Sequence, residues 1–200
     1  ISRIPARPRI EIHPLDVRHV PELQYRWPAV RDCYDPQWCA RNRVNVSPKL
    51  GDEHGGSVTF CGWAHTFGDL VPVERYFDEH PEYFALVKGK RLRERTQLCC
   101  TNEEVIQIAT EGIRKRMRES PNATYFSVSQ NDWGNYCECD ACQALAEQEG
   151  SQMGPVLQLV NRVAEAVADE FPDKRITTLA YQWSRKPAKT IRPRPNVTIR

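Results

Sequence analysis

Four short segments of the sequence each set aromatic rings beside hydrogen-bonding groups: Tyr25-Arg26-Trp27, His65-Thr66, Gln130-Asn131-Asp132-Trp133 and Tyr181-Gln182-Trp183. Rings of this kind stack on the C–H-rich faces of a sugar, while amides and carboxylates take its hydroxyls. Asp132 is the sharpest single residue, because an aromatic neighbour such as Trp133 excludes water and raises a carboxyl pKa, as a general acid requires. Its plainer reading is a cap on the following turn. Hydrolysis of a glycosidic bond needs a second carboxylate about 5 to 9.5 Å away, depending on stereochemistry. No other strand end offers one. His65 can hydrogen-bond a hydroxyl or a uronate, or it is a structural loop histidine. Arg26 can grip a sugar carboxylate through two donors, or form an ion pair inside the domain.

Sulfur is the other chemistry. Eight cysteines stand at positions 33, 39, 61, 99, 100, 137, 139 and 142, three of them within Cys137-Glu138-Cys139-Asp140-Ala141-Cys142. Three thiolates hold zinc if Cys99, Cys100 or a histidine supplies a fourth ligand. They serve equally well as disulfides pinning their loop to Cys99-Cys100 or elsewhere. Either way the cluster reads as a structural staple, since no thioredoxin-like surroundings support redox work by the C-x-x-C pair.

The elements that must position these groups follow from periodicity and punctuation. Residues 1–20 read as an extended lead-in, because Pro5, Pro8 and Pro14 deny them a regular helix, and residues 21–200 read as the domain. Strand patterns occupy 22–27, 57–63, 124–130, 176–182 and 196–200. Helical spacing runs over 103–119, with Thr101 as N-cap and Glu104 closing a capping box, and over 155–171. Strands alternating with helices predict a parallel sheet joined by helical crossovers, with every strand exit on one edge. No Gly-rich phosphate loop follows a strand, which weakens an open nucleotide-binding sheet. The predicted class is therefore α/β with a parallel sheet, and either a (β/α)8 barrel or an open doubly wound sheet fits the pattern.

Composition narrows the partners. Lys and Arg number 28 against 26 Asp and Glu, interspersed, so no basic stripe points to nucleic acid. Apolar runs are too short for a membrane span. Five Trp, seven Tyr and six Phe argue against a disordered chain. The chain opens on Ile1 and closes on Val197-Thr198-Ile199-Arg200, a strand just begun, so it reads as a piece of a longer protein whose targeting segment lies elsewhere.

Several blocks together carry a family resemblance. They are His65-Thr66-Phe67 with Leu70-Val71-Pro72, His80-Pro81-Glu82-Tyr83-Phe84-Ala85-Leu86, Gln97-Leu98-Cys99, Ser127-Val128-Ser129-Gln130-Asn131-Asp132-Trp133, the Cys137/Cys139/Cys142 cluster and Thr178-Leu179-Ala180-Tyr181. Over about residues 20 to 200 the chain resembles the bacterial family called domain of unknown function 4838. The resemblance implies a parallel (β/α)8 TIM-barrel-like fold of the glycoside-hydrolase kind, incomplete here at about the first half to two thirds of a barrel, distantly similar to alpha-glucuronidases and hexosaminidases. It also implies a setting in large secreted or periplasmic proteins of polysaccharide-degrading bacteria. The function implied is a glycoside hydrolase acting on polysaccharide or oligosaccharide, with uronate- or acetamido-sugars among the candidates. No catalytic residue carries over, because the family has no assigned mechanism; His65, Asn131-Asp132-Trp133 and Tyr181 fall in matching segments.

The expected site thus has Asp132 as catalytic residue, and His65, Arg26, Asn131, Trp133 and Tyr181 around a carbohydrate substrate. Cys137, Cys139 and Cys142 form the staple, with structural zinc as the one candidate cofactor. The alternatives are a non-catalytic carbohydrate-binding barrel and an interaction module built on the cysteine staple.

Overall fold

A computed structural model of the chain describes residues 20–47 and 49–200, together with Pro14 and Asp16. The expected lead-in therefore lies almost wholly outside the described residues. In chain order the elements are α1 (Pro36–Arg41), β1 (Phe60–Cys61), α2 (Phe67–Leu70), α3 (Val73–Tyr76), β2 (Leu86–Val87), β3 (Lys90–Arg91), α4 (Glu103–Glu119), β4 (Tyr125–Ser127), α5 (Asp140–Glu149), α6 (Met153–Ala168), β5 (Arg175–Thr178) and β6 (Val197–Ile199).

Four of the strands form one parallel sheet in the order β1-β4-β5-β6. Phe60 stands opposite Tyr125, Phe126 opposite Ile176, and Thr177 opposite Thr198. This order follows the chain without reversal, so the sheet has no switch point of the doubly wound kind. The barrel expectation is met only as a parallel α/β sheet. Among the described residues the sheet is open, and its edges are β1 and β6.

Helices α4 and α6 cover one face. Val105, Ala109, Ile113 and Met117 of α4 meet Val156, Val160 and Val163 of α6 over Phe126, Val128, Ile176 and Val197 of the sheet. Each such side chain stabilises the fold by roughly 1.5–3 kcal/mol when fully buried. The spacing expected for α4 holds, but its cap differs. Asn102, not Thr101, is the N-cap, its side chain accepting from the Glu104 and Val105 N–H groups at 2.9 and 3.1 Å. The Thr101 hydroxyl turns instead to the Cys142 sulfur, 3.2 Å away, and Glu104 accepts from the Tyr83 hydroxyl at 2.7 Å.

The strand expected at 22–27 is absent, and Asn45 explains why. Its side chain accepts from the Arg26 N–H and donates to the Gln24 carbonyl, taking main-chain partners that a neighbouring strand would supply. The alternation there has another cause: Tyr25 and Trp27 pack on Trp63, at 5.7 and 5.1 Å between ring centroids, and Tyr25 reaches Phe60 at 5.1 Å. This aromatic cluster covers the sheet face opposite the helices, where Phe60 stacks on Tyr125 at 4.8 Å. Arg200 lies across the cluster with its guanidinium 4.2 Å from the Trp63 ring. Burial lowers the Arg200 pKa and pushes the Tyr25 phenol up to about 12.

Helix α5 was not expected from the sequence. It ends on Glu149, whose carboxylate is buried and accepts from the Thr190 and Ile191 N–H groups at 2.6 and 3.0 Å and from the Thr190 hydroxyl. The Thr190 hydrogen bonds hold its carboxyl below the usual range of about 4.5. A depressed folded-state pKa contributes stability above the unfolded value and loses it as pH falls through the folded one. Glu149→Gln should therefore melt at a lower temperature than the wild type at pH 7. The gap should narrow as pH drops below about 4.5, followed by circular dichroism melts across pH.

Candidate functional site

Parallel pairing sends the exits of β1, β4 and β5 to the same edge of the sheet. At the β1 exit Thr66 locks onto the β4 exit. Its hydroxyl donates to the Ser127 carbonyl at 2.9 Å and accepts from the Ser129 N–H at 3.1 Å, while the Thr66 and Phe67 N–H groups donate to the Ser129 carbonyl. His65, one residue earlier, is held at φ +56, a left-handed conformation that costs a non-glycine residue of order 1–3 kcal/mol. Its Nδ1 lies 2.8 Å from the Gln130 carbonyl. A carbonyl only accepts, so Nδ1 carries the proton, and in the neutral ring Nε2 keeps a free lone pair.

The β5 exit completes the edge. The Tyr181 ring sits 5.5 Å from the His65 ring. Gln182, also left-handed at φ +51, donates from Nε2 to Asp132 Oδ1 at 3.4 Å. Beneath them the buried Gln130 donates to the Ser184 hydroxyl at 2.6 Å and ties the two exits together. His65 and Tyr181, far apart in sequence, are thus neighbours, and Asp132 joins them through Gln182, the residue after Tyr181. Asp132, Trp133 and Tyr181 all face solvent, so Trp133 does not shield the Asp132 carboxyl from water as expected.

The other expected residues go elsewhere. Trp133 carries the Arg95 guanidinium 5.4 Å from its ring, and its carbonyl accepts from the Trp183 indole at 3.0 Å and from Gln97 at 2.6 Å. Asn131 spends its amide on main chain: Oδ1 accepts from the Gly68 N–H and Nδ2 donates to the Thr96 carbonyl, both at 2.9 Å. Arg26 stays with the N-terminal segment, its guanidinium donating to the Arg43 and Leu23 carbonyls at 2.6 and 2.5 Å. Gln97, Gln130 and Gln182 stand in segments the sequence singled out, but their own roles were not legible there because a side-chain amide leaves no periodic signal. Gln97 is buried and grips the Asp132 loop on both sides, through Asn131 and Trp133.

Behind this rim, four sulfurs converge. Cys99, Cys137, Cys139 and Cys142 place their sulfur atoms within 4.8 Å of one another. Cys99 is 3.6 Å from Cys139 and 3.9 Å from Cys142. Ligands about 2.3 Å from a tetrahedral zinc stand about 3.8 Å apart, so these spacings fit four thiolates around one metal ion. They are far beyond a disulfide bond of about 2.05 Å. All eight cysteines are free.

The loop and helix around the sulfurs explain the convergence. Cys139 is the N-cap of α5, Cys142 lies in its first turn, and Cys99 lies just before α4. The Leu86 N–H points at Cys137 from 3.4 Å, and the Glu138 N–H returns a bond to the Leu86 carbonyl at 2.7 Å. The β2–β3 hairpin, which turns through Lys88 and Gly89 at positive φ, is thereby fastened to the cysteine loop. Hydrogen bonds from Cys137 and Cys142 hold the Cys99 thiol far below its ordinary pKa, while Cys137 and Cys142 are themselves raised, so within the metal-free cluster the charge is concentrated on Cys99.

These features define an α/β domain with a parallel sheet in chain order, a polar and aromatic rim, and a four-cysteine cluster able to hold a metal ion. The chain belongs to the family described as Domain of unknown function (DUF4838), which matches residues 1–200. Neither the curated proteins nor the solved structures gave a match. Among the described residues no helix is long and apolar enough to cross a membrane.

Asn131 acts on the shape of the loop. Asn131→Ala strands the Gly68 N–H and the Thr96 carbonyl, so it should destabilise the protein by about 1–3 kcal/mol in urea denaturation.

Proposed function

We propose that this chain is part of a carbohydrate-active (β/α) barrel, a glycoside hydrolase that takes its polysaccharide or oligosaccharide substrate on the exits of β1, β4 and β5. The observation that carries the reading is the His65–Tyr181 ring pair at the strand exits, with Asp132 hydrogen-bonded to the adjoining Gln182. Strand order without reversal supports a barrel over a doubly wound sheet. Tyr181 offers a ring face for a sugar, His65 Nε2 accepts from a hydroxyl, and Asp132 is the proton donor to the leaving oxygen. The left-handed His65 and Gln182 add support, because backbone strain of this kind collects where a side chain must be aimed. A polysaccharide substrate fits a secreted or periplasmic setting.

Asp132→Asn should lower hydrolysis of a susceptible glycan by about 10²–10⁴-fold while leaving its binding in place. Unchanged hydrolysis would remove Asp132 from the reaction. Binding by the wild type without any hydrolysis would favour the non-catalytic barrel.

We further assign zinc to the four-cysteine cluster, in a closed structural role. Four thiolate ligands leave no open position for substrate, and tetrahedral sulfur coordination suits zinc. Purified protein should contain one zinc per chain by elemental analysis, and Cys137→Ser should lose it. Removing the metal with a chelator should lower the melting temperature and expose the β2–β3 hairpin to proteolysis, since the hairpin is fastened to the cysteine loop.

A further inference from the structure

We infer that the cavity beside Trp183 is a second sugar subsite, next to the Asp132 rim, and that the ligand is an oligosaccharide with a neutral or amino sugar in this position. The inference rests on the carbohydrate reading above and deepens it. The cavity has a volume of about 550 Å³, within the roughly 300–1,000 Å³ usual for small-ligand sites. Two rings form one corner, Tyr136 and Trp183, 5.4 Å apart with their planes at 47°. A tilted pair presents two faces to a bulky, ring-shaped guest, where parallel stacked rings would leave only the outer ones. Around the corner stand Glu138, Gln143, Glu147 and Lys186. Their amides and carboxylates suit hydroxyl groups. Two carboxylates against one ammonium disfavour a sugar acid in this position.

Continuity with the rim comes through the chain itself. Gln182, the residue before Trp183, reaches Asp132, and the Trp183 indole donates to the carbonyl of Trp133, the residue after Asp132. The Trp183 ring therefore begins where the Asp132 rim ends. The adjoining wall is held as firmly. Tyr136 and Glu138 flank Cys137 in the thiolate cluster, and Glu138 is pinned through its N–H to the Leu86 carbonyl and through Oε2 to the Lys88 N–H, both at 2.7 Å. A preformed wall spares a ligand the cost of ordering it.

The test is calorimetric titration of the zinc-loaded protein with single sugars, with short and long neutral oligosaccharides, and with uronate oligosaccharides of matched length. Neutral oligosaccharides should bind more tightly than single sugars. Glu147→Ala, on the exposed face of α5, and Tyr136→Ala should each weaken the longer ligand by roughly tenfold and leave the single sugar unchanged. His65→Ala should weaken both. Oligosaccharides no tighter than single sugars, or Glu147→Ala and Tyr136→Ala both without effect on the longer ligand, would overturn the subsite while leaving the rim reading standing. Uronate oligosaccharides binding more tightly than neutral ones would overturn the charge argument. If no sugar of any length binds, the carbohydrate reading fails, and the subsite with it. Tyr136 adjoins a cysteine ligand, so its folding is checked by zinc content; Glu147→Ala keeps the test open if that variant is damaged.

Discussion

Strand β4 is hydrogen-bonded on both sides, to β1 and to β5, and most of what meets at the rim hangs from its exit. Parallel pairing gives no freedom about where the exits go. Once Tyr125 is opposite Phe60 and Arg175, the chain after Ser127 must leave at the same edge as the chain after Cys61 and the chain after Thr178. Residues as far apart in sequence as His65 and Tyr181 become neighbours through main-chain geometry. Their side chains need only be of the right type. The helical layer holds this register, because a one-residue slip would turn Phe126 and Ile176 away from α4 and α6.

Beyond the last ladder bonds the rim is made of buried polar groups, and these are costly unless paired. Thr66, Ser129, Gln97 and Gln130 are all buried, and each finds partners in a neighbouring exit. An unmet buried group costs about 1–3 kcal/mol, so such a network tolerates few alternative arrangements. Where a carbohydrate site needs fixed directions for donors and acceptors, the amides of Gln97 and Asn131 provide them without regular secondary structure, while Gln130 keeps its Oε1 buried and unpartnered. Asp132 is left facing solvent because its neighbour Asn131 faces inward.

Legibility in the sequence followed the length of the physical signal. Helices α4 and α6 bury apolar stripes over many turns, so their period was readable, and the strands at β4, β5 and β6 announced themselves as β-branched and aromatic runs. The expected strand at 22–27 misled because Tyr25 and Trp27 alternate in order to cover Phe60 and Trp63, while Asn45 takes the main-chain bonds. Helix α5 stayed hidden because the face it buries consists of Cys142, Ala146 and Glu149, a sulfur, a methyl and a carboxylate that no hydrophobic period reports. The capping box misled for a related reason, since Thr101 is drawn to a sulfur brought close only by the fold. The C-x-C-x-x-C motif showed three sulfurs of the cluster, and Cys99 was one of several possible fourths until the fold placed it beside them. The family was legible from its blocks; the roles of Gln97 and Asn131 were not, since hydrogen bonds to main chain leave no mark on a sequence.

The cysteine cluster and the rim answer the same problem from opposite ends. Between β4 and α5 the chain runs through residues 128–139 with no helix or strand, and such a stretch loses roughly 1–2 kcal/mol of backbone entropy for each residue it orders. Gln97 and Trp183 hold the first half of the stretch at Asn131 and Trp133. Bonds between Leu86 and the Cys137-Glu138 pair hold the second half, beside the sulfur cluster. Cys99 sits two residues after Gln97, so the Gln97 clamp and the sulfur cluster share one short segment ahead of α4. That segment is fixed in turn by the Cys99 N–H to the Tyr83 carbonyl at 2.8 Å and by the Asn102 cap. A metal bound at the cluster would stiffen the Gln97 clamp as well as the cysteine loop, and through it the placement of Asp132. A staple several residues away can therefore govern the precision of a site it never touches.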